Sequence, residues 1–387
     1  MNYADMGFKP FKICDTHVHI ISPVKVEESQ KTFGEIMDYF GYSRLGIMAV
    51  TTECGHNDCD HTDNLKAFYV KDGLNRNGQD RCFVYANPLY PLDGTDSADY
   101  YLSEVKELYR MGADGFKFLD GKPNMRKKIN RRLDDPIYDK MYAFFEEEGL
   151  PVKMHIADPR RFWGPREKMG EYELKSGWWC GDGSCPSFEE LHEEVYGILR
   201  KFPHLKFCTA HCFFLGDDID GLTEFMENWE NTSFDLTPAA INFVEFSKKP
   251  DEWRTFFQKY SKRIFYGTDT YNTTLSGEME KYERWSAPSL IRRMLEYPTD
   301  KTFTLRDDTF VPLGLDDATL SDIYSENHKR MHPHAKALDR ELIAFRAKEM
   351  LTDVKARRIP CPSEEVYAIE EHNMQSVIKR FSSDELQ

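Results

Sequence analysis

Two histidines two residues apart, His17 and His19, are the first residues in the sequence whose spacing suggests chemistry. They end a run of residues that has the composition of a β-strand. Because side chains of a strand alternate between its faces, both imidazoles point to the same side and could chelate a metal ion. A buried histidine that bonds a backbone carbonyl is also common in strands, so the pair alone leaves both interpretations open.

Three further side chains of the metal-ligand type stand at the ends of later candidate strands: His155, His211 and Asp269. In a parallel barrel the carboxyl ends of all strands meet at one mouth. If each of these side chains were instead an isolated structural polar residue, all of them would have to occur at this rim independently of one another. Imidazoles with one carboxylate are the usual ligands of zinc and similar divalent ions. The pattern therefore favours a metal site.

The elements that must position these residues are short apolar strands, which alternate with helical stretches from residue 12 to residue 270. This alternation predicts a parallel β/α architecture. Eight strands fit a (β/α)8 TIM barrel, which takes about 250 residues, and an open doubly wound sheet is the alternative. Capping residues at Asp135 and Ser187 mark two helix starts. The candidate strands are residues 12–20, 45–52, 81–88, 115–120, 151–157, 205–211, 232–237 and 263–269.

Two segments depart from this regularity. Residues 158–186 are rich in Trp, Gly and Arg and far exceed a usual βα turn of about two to six residues. A long loop at the mouth of a barrel usually covers a site. Beyond the last strand, Leu338, Leu342 and Phe345 share one helix face. We expect residues 1–332 to form the barrel domain and residues 333–387 a helical C-terminal extension packed on it.

The composition excludes several classes of protein. With 51 basic and 66 acidic residues the net charge is −15, which argues against nucleic acid or an anionic membrane as partner. A hydrophobic content of 40% excludes a disordered chain. The sequence has no apolar run long enough to span a membrane, and the N-terminus lacks the order of a secretion signal. We expect a cytoplasmic protein.

The nine cysteines are an odd number, and several fall in candidate strands, so we expect them to be reduced. Two pairs have the same close spacing, Cys54 with Cys59 and Cys180 with Cys185. Histidines flank the first pair and could complete a structural zinc site. This spacing is weak evidence, and ordinary loop thiols are the favoured interpretation.

The sequence resembles the amidohydrolase-2 branch of the amidohydrolase superfamily, which also contains decarboxylases related to aminocarboxymuconate semialdehyde decarboxylase. The motifs that carry the resemblance stand in the family's order on the candidate strands. Across residues 313–331 the chain is similar to the family's closing segment, although His328 replaces the usual small residue. The other motifs are Asp-x-His-x-His at 15–19, the histidine ending PVKMH, the histidine of TAH and the aspartate of YGTD.

The resemblance implies one divalent ion, zinc first with manganese or iron as alternatives. It implies that His211 lies beside a bound water, which such an ion activates for attack. We expect Asp269 to carry the proton between this water and the leaving group, and His211 to orient the substrate or stabilise an oxyanion. The implied metal ligands are His17, His19, His155 and Asp269.

Other charged residues are expected near the centre. Family members with two metals bridge them with a carboxylated lysine from the fourth strand, where this chain has Lys117. We favour a substrate-binding or ion-paired Lys117 instead. Lys153 should also face inward and needs a carboxylate, for which Asp235 is a candidate. We expect Asp15, two residues before His17 on the same face, to support a metal ligand and not to bind the metal itself.

The long loop offers two candidates for substrate binding. Arg160 could clamp a substrate carboxylate, and Trp163 could form a pocket wall. The alternative is a solvated basic turn in which Trp163 anchors the loop.

Three functions remain open from the sequence. The first is a metal-dependent hydrolase of a small amide, ester or lactone, and the second is a metal-dependent non-oxidative decarboxylase of a small aromatic or unsaturated acid. The third is a catalytically silent barrel that binds a small molecule, since a fold does not guarantee activity. In each case the partner is a small molecule, and a homo-oligomer is compatible with the sequence.

Overall fold

A parallel sheet of nine short strands closes into a barrel at the centre of the computed structural model. The described residues are 3–51, 60–91, 95–238, 240–272, 287–305 and 308–382. The strands follow the chain order around the barrel, and each pairs in parallel with its neighbours. They are β1 Ile13–His19, β2 Tyr42–Met48, β3 Cys82–Ala86, β4 Gly115–Gly121, β5 Val152–Ile156, β6 Phe207–Thr209, β7 Thr232–Asp235, β8 Ile264–Phe265 and β9 Thr270–Tyr271.

Two short strands, β8 and β9, together take the place of the eighth strand of the barrel. Strand β8 pairs with β7, whereas β9 pairs with β1, and backbone hydrogen bonds between β1 and the segment that connects β8 to β9 complete the closure. The Thr16 N–H donates to the Tyr266 carbonyl at 3.0 Å, and the Asp269 N–H donates to the His17 carbonyl at 2.8 Å. The predicted eighth strand at 263–269 is therefore interrupted, because Asp269 has a left-handed backbone with φ 59°.

Helices flank the barrel and begin where the capping residues predict. In the helix at Phe188–Lys201, Ser187 and Glu190 form the expected capping box. Asp135 accepts a hydrogen bond from the Ile137 N–H and so starts a helical turn. The helices are α1 Val26–Phe40, α2 Asp63–Leu74, α3 Ala98–Met111, α4 Pro123–Ile129, α5 Asp139–Glu147, α6 Glu171–Lys175, α7 Phe188–Lys201, α8 Ile219–Asn228, α9 Ala240–Lys248, α10 Pro250–Lys259, α11 Ala287–Glu296, α12 Asp317–Ser321, α13 Asn327–Met331, α14 Arg340–Lys355 and α15 Glu364–Ser382.

The expected (β/α)8 TIM barrel with a helical C-terminal segment is confirmed. Strand β2 is shifted from its predicted position: it begins at Tyr42 and ends at Met48, earlier than the predicted 45–52. A small antiparallel pair, β10 Phe303–Leu305 and β11 Asp308–Phe310, lies apart from the barrel sheet. None of the helices in the described part of the chain combines the length and apolarity that a membrane span needs.

The C-terminal helices are tied to the barrel by buried charges. Lys66 of α2 lies 2.6 Å from Asp63 and 3.5 Å from Glu370 of α15, and all three side chains are buried. The prediction that Leu338, Leu342 and Phe345 share one apolar helix face is partly wrong. Helix α14 begins at Arg340, beyond Leu338, and the side chain of Phe345 is 55% exposed.

The expectation that all cysteines are reduced is wrong for at least one pair. Cys180 and Cys185 form a disulfide within the long loop. Four other cysteines in the described part of the chain are free and buried: Cys14, Cys82, Cys208 and Cys212. The other close pair, Cys54 with Cys59, lies outside the described residues, so the favoured interpretation as loop thiols and the alternative of a structural zinc both stay predictions.

Candidate metal centre

The imidazole rings of the two β1 histidines, His17 and His19, lie next to each other at the mouth of the barrel. His17 Nε2 and His19 Nε2 are 3.0 Å apart, and both residues are buried. An Asp269 carboxylate oxygen lies 3.1 Å from His19 Nε2 and 3.7 Å from His17 Nε2. One ligand atom from each residue lies within 4.8 Å of the other two. Imidazole nitrogens that share a tetrahedral zinc at 2.0–2.1 Å are about 3.3 Å apart, so this spacing fits one ion.

Asp235 orients the first of these histidines. Its Oδ2 lies 2.7 Å from His17 Nδ1 and 2.9 Å from the Lys153 ammonium. Burial would raise the pKa of Asp235, but Lys153 and His17 outweigh it and hold the pKa well below its ordinary value. The ionised carboxylate accepts the Nδ1 proton, so the lone pair of His17 is on Nε2, where a metal would bind. The expected pairing of Lys153 with Asp235 is confirmed.

Asp15 supports the ligand strand through the backbone. It accepts the backbone N–H groups of His17 at 3.2 Å and Thr268 at 3.1 Å. Its carboxylate therefore fixes the segment between β8 and β9 against β1. Burial raises the pKa of Asp15 to about 7.

His155 and His211 form a second pair beside the first. His155 Nδ1 and His211 Nε2 are 3.2 Å apart, and the His211 ring centre is 5.8 Å from that of His17. His155 Nε2 faces the Ala157 carbonyl at 2.9 Å, which leaves Nδ1 as its other nitrogen. Within the described residues, His155 falls outside the group of ligand atoms that meet within 4.8 Å. The structure thus joins three of the four expected ligands and places the fourth against His211.

The imidazoles are in the state that a metal needs. Burial lowers the pKa of His17, His19 and His211, and it lowers that of His155 to about 3. Burial would raise the pKa of Asp269, but its contact with His19 keeps the pKa well below its ordinary value. Neutral imidazoles and an ionised carboxylate form the donor set of zinc and similar ions, so these residues fit the implied metal.

The amine of Lys117, on β4, also lies at this candidate metal centre. Its Nζ lies 3.2 Å from His17 Nε2, and the side chain is fully buried. Burial lowers the pKa of Lys117 to about 8. Contact between this amine and a substrate stays a prediction.

Both loop candidates already contact other residues of the protein. The Arg160 guanidinium lies 2.8 Å from Glu189 and 3.6 Å from Asp217, and it stacks over the Phe188 ring at 3.8 Å. The Trp163 indole N–H donates to the Pro186 carbonyl at 3.0 Å. These contacts match the alternative in which Trp163 anchors the loop.

Sequence reasoning missed three residues around the centre. Lys122 lies 2.9 Å from Asp158, which in turn lies 3.2 Å from His155 Nε2. Tyr271 stacks on His19, with ring centres 5.6 Å apart, and is 39% exposed. The only signal for Asp158 was its position three residues after His155, and Lys122 and Tyr271 follow strand ends.

Comparison with known proteins agrees with this geometry. A family model described as Amidohydrolase matches residues 14–332. No curated protein matches the chain. An uncharacterised TIM-barrel protein from Bordetella bronchiseptica is similar in structure, with a TM-score of 0.50 and 12% identity over 84% of this chain and 99% of that chain. This likeness shows the fold.

Two characterised enzymes have lower structural similarity. A 4-oxalomesaconate hydratase from Rhodopseudomonas palustris has a TM-score of 0.49 and 14% identity, over 88% of this chain and 99% of that chain. A 5-carboxyvanillate decarboxylase from Sphingomonas paucimobilis has a TM-score of 0.47 and 10% identity, over 84% of this chain and 99% of that chain.

Proposed function

The chain belongs to the amidohydrolase family, and on this premise we propose that it is a metal-dependent hydrolase of a small amide, ester or lactone. One observation carries the proposal. His17 Nε2, His19 Nε2 and a carboxylate oxygen of Asp269 converge within 4.8 Å of one another at the barrel mouth. Active sites of such barrels lie at this end of the strands.

The proposed metal ligands are His17, His19 and Asp269, with His155 as the fourth through Nδ1. Zinc is the first choice, with manganese or iron as alternatives, because imidazole and carboxylate suit all three. When bound, such an ion lowers the pKa of water toward neutrality and polarises a carbonyl. Asp235 supports this set by holding the His17 ring in one tautomer.

Asp269 is the proposed proton carrier. Its side chain is 31% exposed, at the mouth, and its carboxylate is ionised, so it can take a proton from the attacking water and return it to the leaving group. His211 is proposed to donate to the oxygen that becomes negative. Lys117 is proposed to bind a polar group of the substrate, since its amine reaches the same point as His17 Nε2.

Two aromatic rings favour a second candidate, a non-oxidative decarboxylase of a small aromatic or unsaturated acid. Tyr271 stacks on His19 with an angle of 23° between the rings, and Phe214 stacks on His211 with an angle of 25°. Flat rings beside two imidazoles of the centre suit a planar substrate. This reaction would use the same ligands and the same proton carrier, and it would protonate the carbon that loses CO2.

One experiment separates the candidates. The protein is loaded with zinc, manganese or iron and assayed on a panel of lactones, amides, esters and aromatic acids in ¹⁸O-labelled water, with detection of CO2. We expect ¹⁸O in the organic product and no release of CO2. Release of CO2 with no ¹⁸O in the organic product would favour the decarboxylase. Binding without turnover of any panel member would favour the silent barrel, and the Asp269→Asn variant measures the background.

A further inference from the structure

Strand β6 is followed by an unusual left-handed turn that begins at His211. Four consecutive residues, none of them glycine, have positive φ: His211 at 56°, Cys212 at 54°, Phe213 at 57° and Phe214 at 51°. A left-handed helical conformation is unfavourable for an L-residue. Such a turn persists only where surrounding contacts hold it, and such strain gathers at functional sites.

The turn determines how two rings meet the centre. It places His211 Nε2 3.2 Å from His155 Nδ1. It also stacks the Phe214 ring on that of His211, with ring centres 5.0 Å apart, and sets it 5.6 Å from that of His155. A right-handed turn would send both side chains elsewhere, because side-chain direction follows the backbone.

Three side chains hold the turn. Asp235 accepts the His211 backbone N–H at 3.0 Å, and the Asn242 amide donates to the His211 carbonyl at 2.8 Å. His192 Nε2 lies 3.0 Å from the Phe213 carbonyl. Asp235 also bonds the ring of His17, and Asn242 bonds only His211, the first residue of the turn. The backbone N–H of Phe213 donates to the Ala210 carbonyl and that of Leu215 to the Cys212 carbonyl, and His192 is the side chain from outside the turn that adds a bond to its middle.

The surroundings of His192 show which of its nitrogens matters. The residue is buried in α7 between the rings of Phe188 and Phe213, at 4.2 and 4.1 Å. Burial lowers the pKa of His192, so the ring is neutral and carries one N–H.

The two carbonyls that face this ring differ in their need for a donor. Nδ1 lies 2.8 Å from the Phe188 carbonyl, which already accepts a backbone N–H within the helix. In the described part of the chain, the Phe213 carbonyl has no donor other than His192 Nε2. A buried carbonyl without a donor is costly, so the proton belongs on Nε2.

We propose that His192 is a positioning residue, whose Nε2–H holds the Phe213 carbonyl and keeps the turn in the left-handed conformation that sets His211 and Phe214 against the metal centre. His192 does not touch the proposed ligands; it acts through the turn. The part of this inference that concerns catalysis rests on the proposed function, whereas the part that concerns conformation does not.

Three variants separate the two nitrogens of His192. In His192→Gln the amide nitrogen stands near the place of Nε2 and can donate to Phe213. In His192→Asn the amide nitrogen stands near the place of Nδ1 and can reach only Phe188. His192→Phe keeps the ring stacking and loses both bonds. His204→Phe, at an exposed histidine outside the turn, is the matched control.

The first readout is hydrogen exchange of peptides that cover residues 208–218, measured on the zinc-loaded protein. We expect exchange to become about tenfold faster or more in His192→Asn and His192→Phe, and to stay within about threefold of the wild type in His192→Gln and the control. Equal exchange in the Gln and Phe variants, or wild-type exchange in all three, would overturn the proposal.

The second readout is turnover of whichever panel substrate the wild type accepts. We expect kcat to fall about tenfold or more in His192→Asn and His192→Phe with KM within about twofold, and to be restored in His192→Gln. An unchanged kcat in His192→Asn would confine His192 to the fold and overturn the proposal. If the wild type turns over no panel member, the proposed function fails, and the exchange pattern decides on the turn alone.

Discussion

Asp235 accepts a hydrogen bond from Nδ1 of His17 at 2.7 Å, so that the other nitrogen of the ring, Nε2, faces His19 and Asp269. The two residues are far apart in the sequence and meet across the barrel. The same carboxylate neutralises the buried ammonium of Lys153 at 2.9 Å. One side chain thus orients a proposed ligand and stabilises a buried cation.

The Asp235→Asn variant should bind zinc about 10–100-fold more weakly, because its side chain no longer holds His17 in one tautomer. It should also lose about 3–5 kcal/mol of unfolding free energy, since Lys153 is left without a charged partner. Titration calorimetry with zinc and urea unfolding measure the two effects. Asp217→Asn, at a carboxylate that is 44% exposed, is the control. Unchanged zinc affinity in Asp235→Asn would contradict the orienting role.

The Asp269→Asn variant should lose turnover by about 10²–10⁴-fold, because an amide cannot accept and return the proton. The fold should be kept, since the main-chain bond from Asp269 to the His17 carbonyl does not involve the side chain. Steady-state rates with the best panel substrate and circular dichroism check both statements. Turnover close to that of the wild type would rule out Asp269 as the proton carrier.

Lys117 should make the stability of the metal-free protein depend on pH. The pKa of Lys117 is about 8 in the folded chain, against 10.5 for an ordinary lysine. Between these two values the unfolded chain holds a proton that the folded chain has released, so stability should rise with pH from about 8 to about 10.5.

The measurement is urea unfolding of chelator-treated protein across that pH range. The rise should be smaller in Lys117→Met. Lys31→Met, at a lysine that is 69% exposed, should keep the wild-type slope. Equal slopes in wild type and Lys117→Met would mean that the folded protein does not perturb this amine.

Trp163→Ala should lower the unfolding free energy by about 1–3 kcal/mol, because it removes the bond to the Pro186 carbonyl and the packing against Phe188. Thermal unfolding measures the change, and Tyr172→Ala, at a loop aromatic that is 64% exposed, is the control. If KM changed strongly while the melting temperature stayed the same, Trp163 would belong to the substrate pocket instead.

Glu370→Gln should lower the unfolding free energy by about 1–3 kcal/mol, because it weakens a buried charge interaction between α2 and α15 while Asp63 still neutralises Lys66. Glu365→Gln, on the exposed side of the same helix, is the matched control. Urea unfolding provides the comparison. Equal stability of the two variants would show that the C-terminal helices do not depend on this buried charge.

Sequence patterns predicted the barrel and the family because both depend on local periodicity and on short motifs. The alternation along β1 puts His17 and His19 on one face, and the capping box at Ser187 starts α7. Both follow from residues close together in the chain.

Features that depend on distant partners could not be predicted in this way. Asp235 was connected with Lys153 by the need for a buried countercharge, but nothing local indicated that it also bonds His17. The left-handed turn after β6 has no glycine to mark it, and the contact from His192 that supports it comes from another helix. The exposure of Phe345 likewise reflects where α14 packs, which periodicity alone does not determine.

The central claim is that His17, His19 and Asp269 hold one divalent ion. It is tested most directly by elemental analysis of protein purified without chelator, comparing the wild type with His19→Ala. We predict about one equivalent of zinc, manganese or iron per chain in the wild type and less than about a tenth of that in the variant. Equal metal content in the two folded proteins, or none in a wild type that is fully active, would contradict the account.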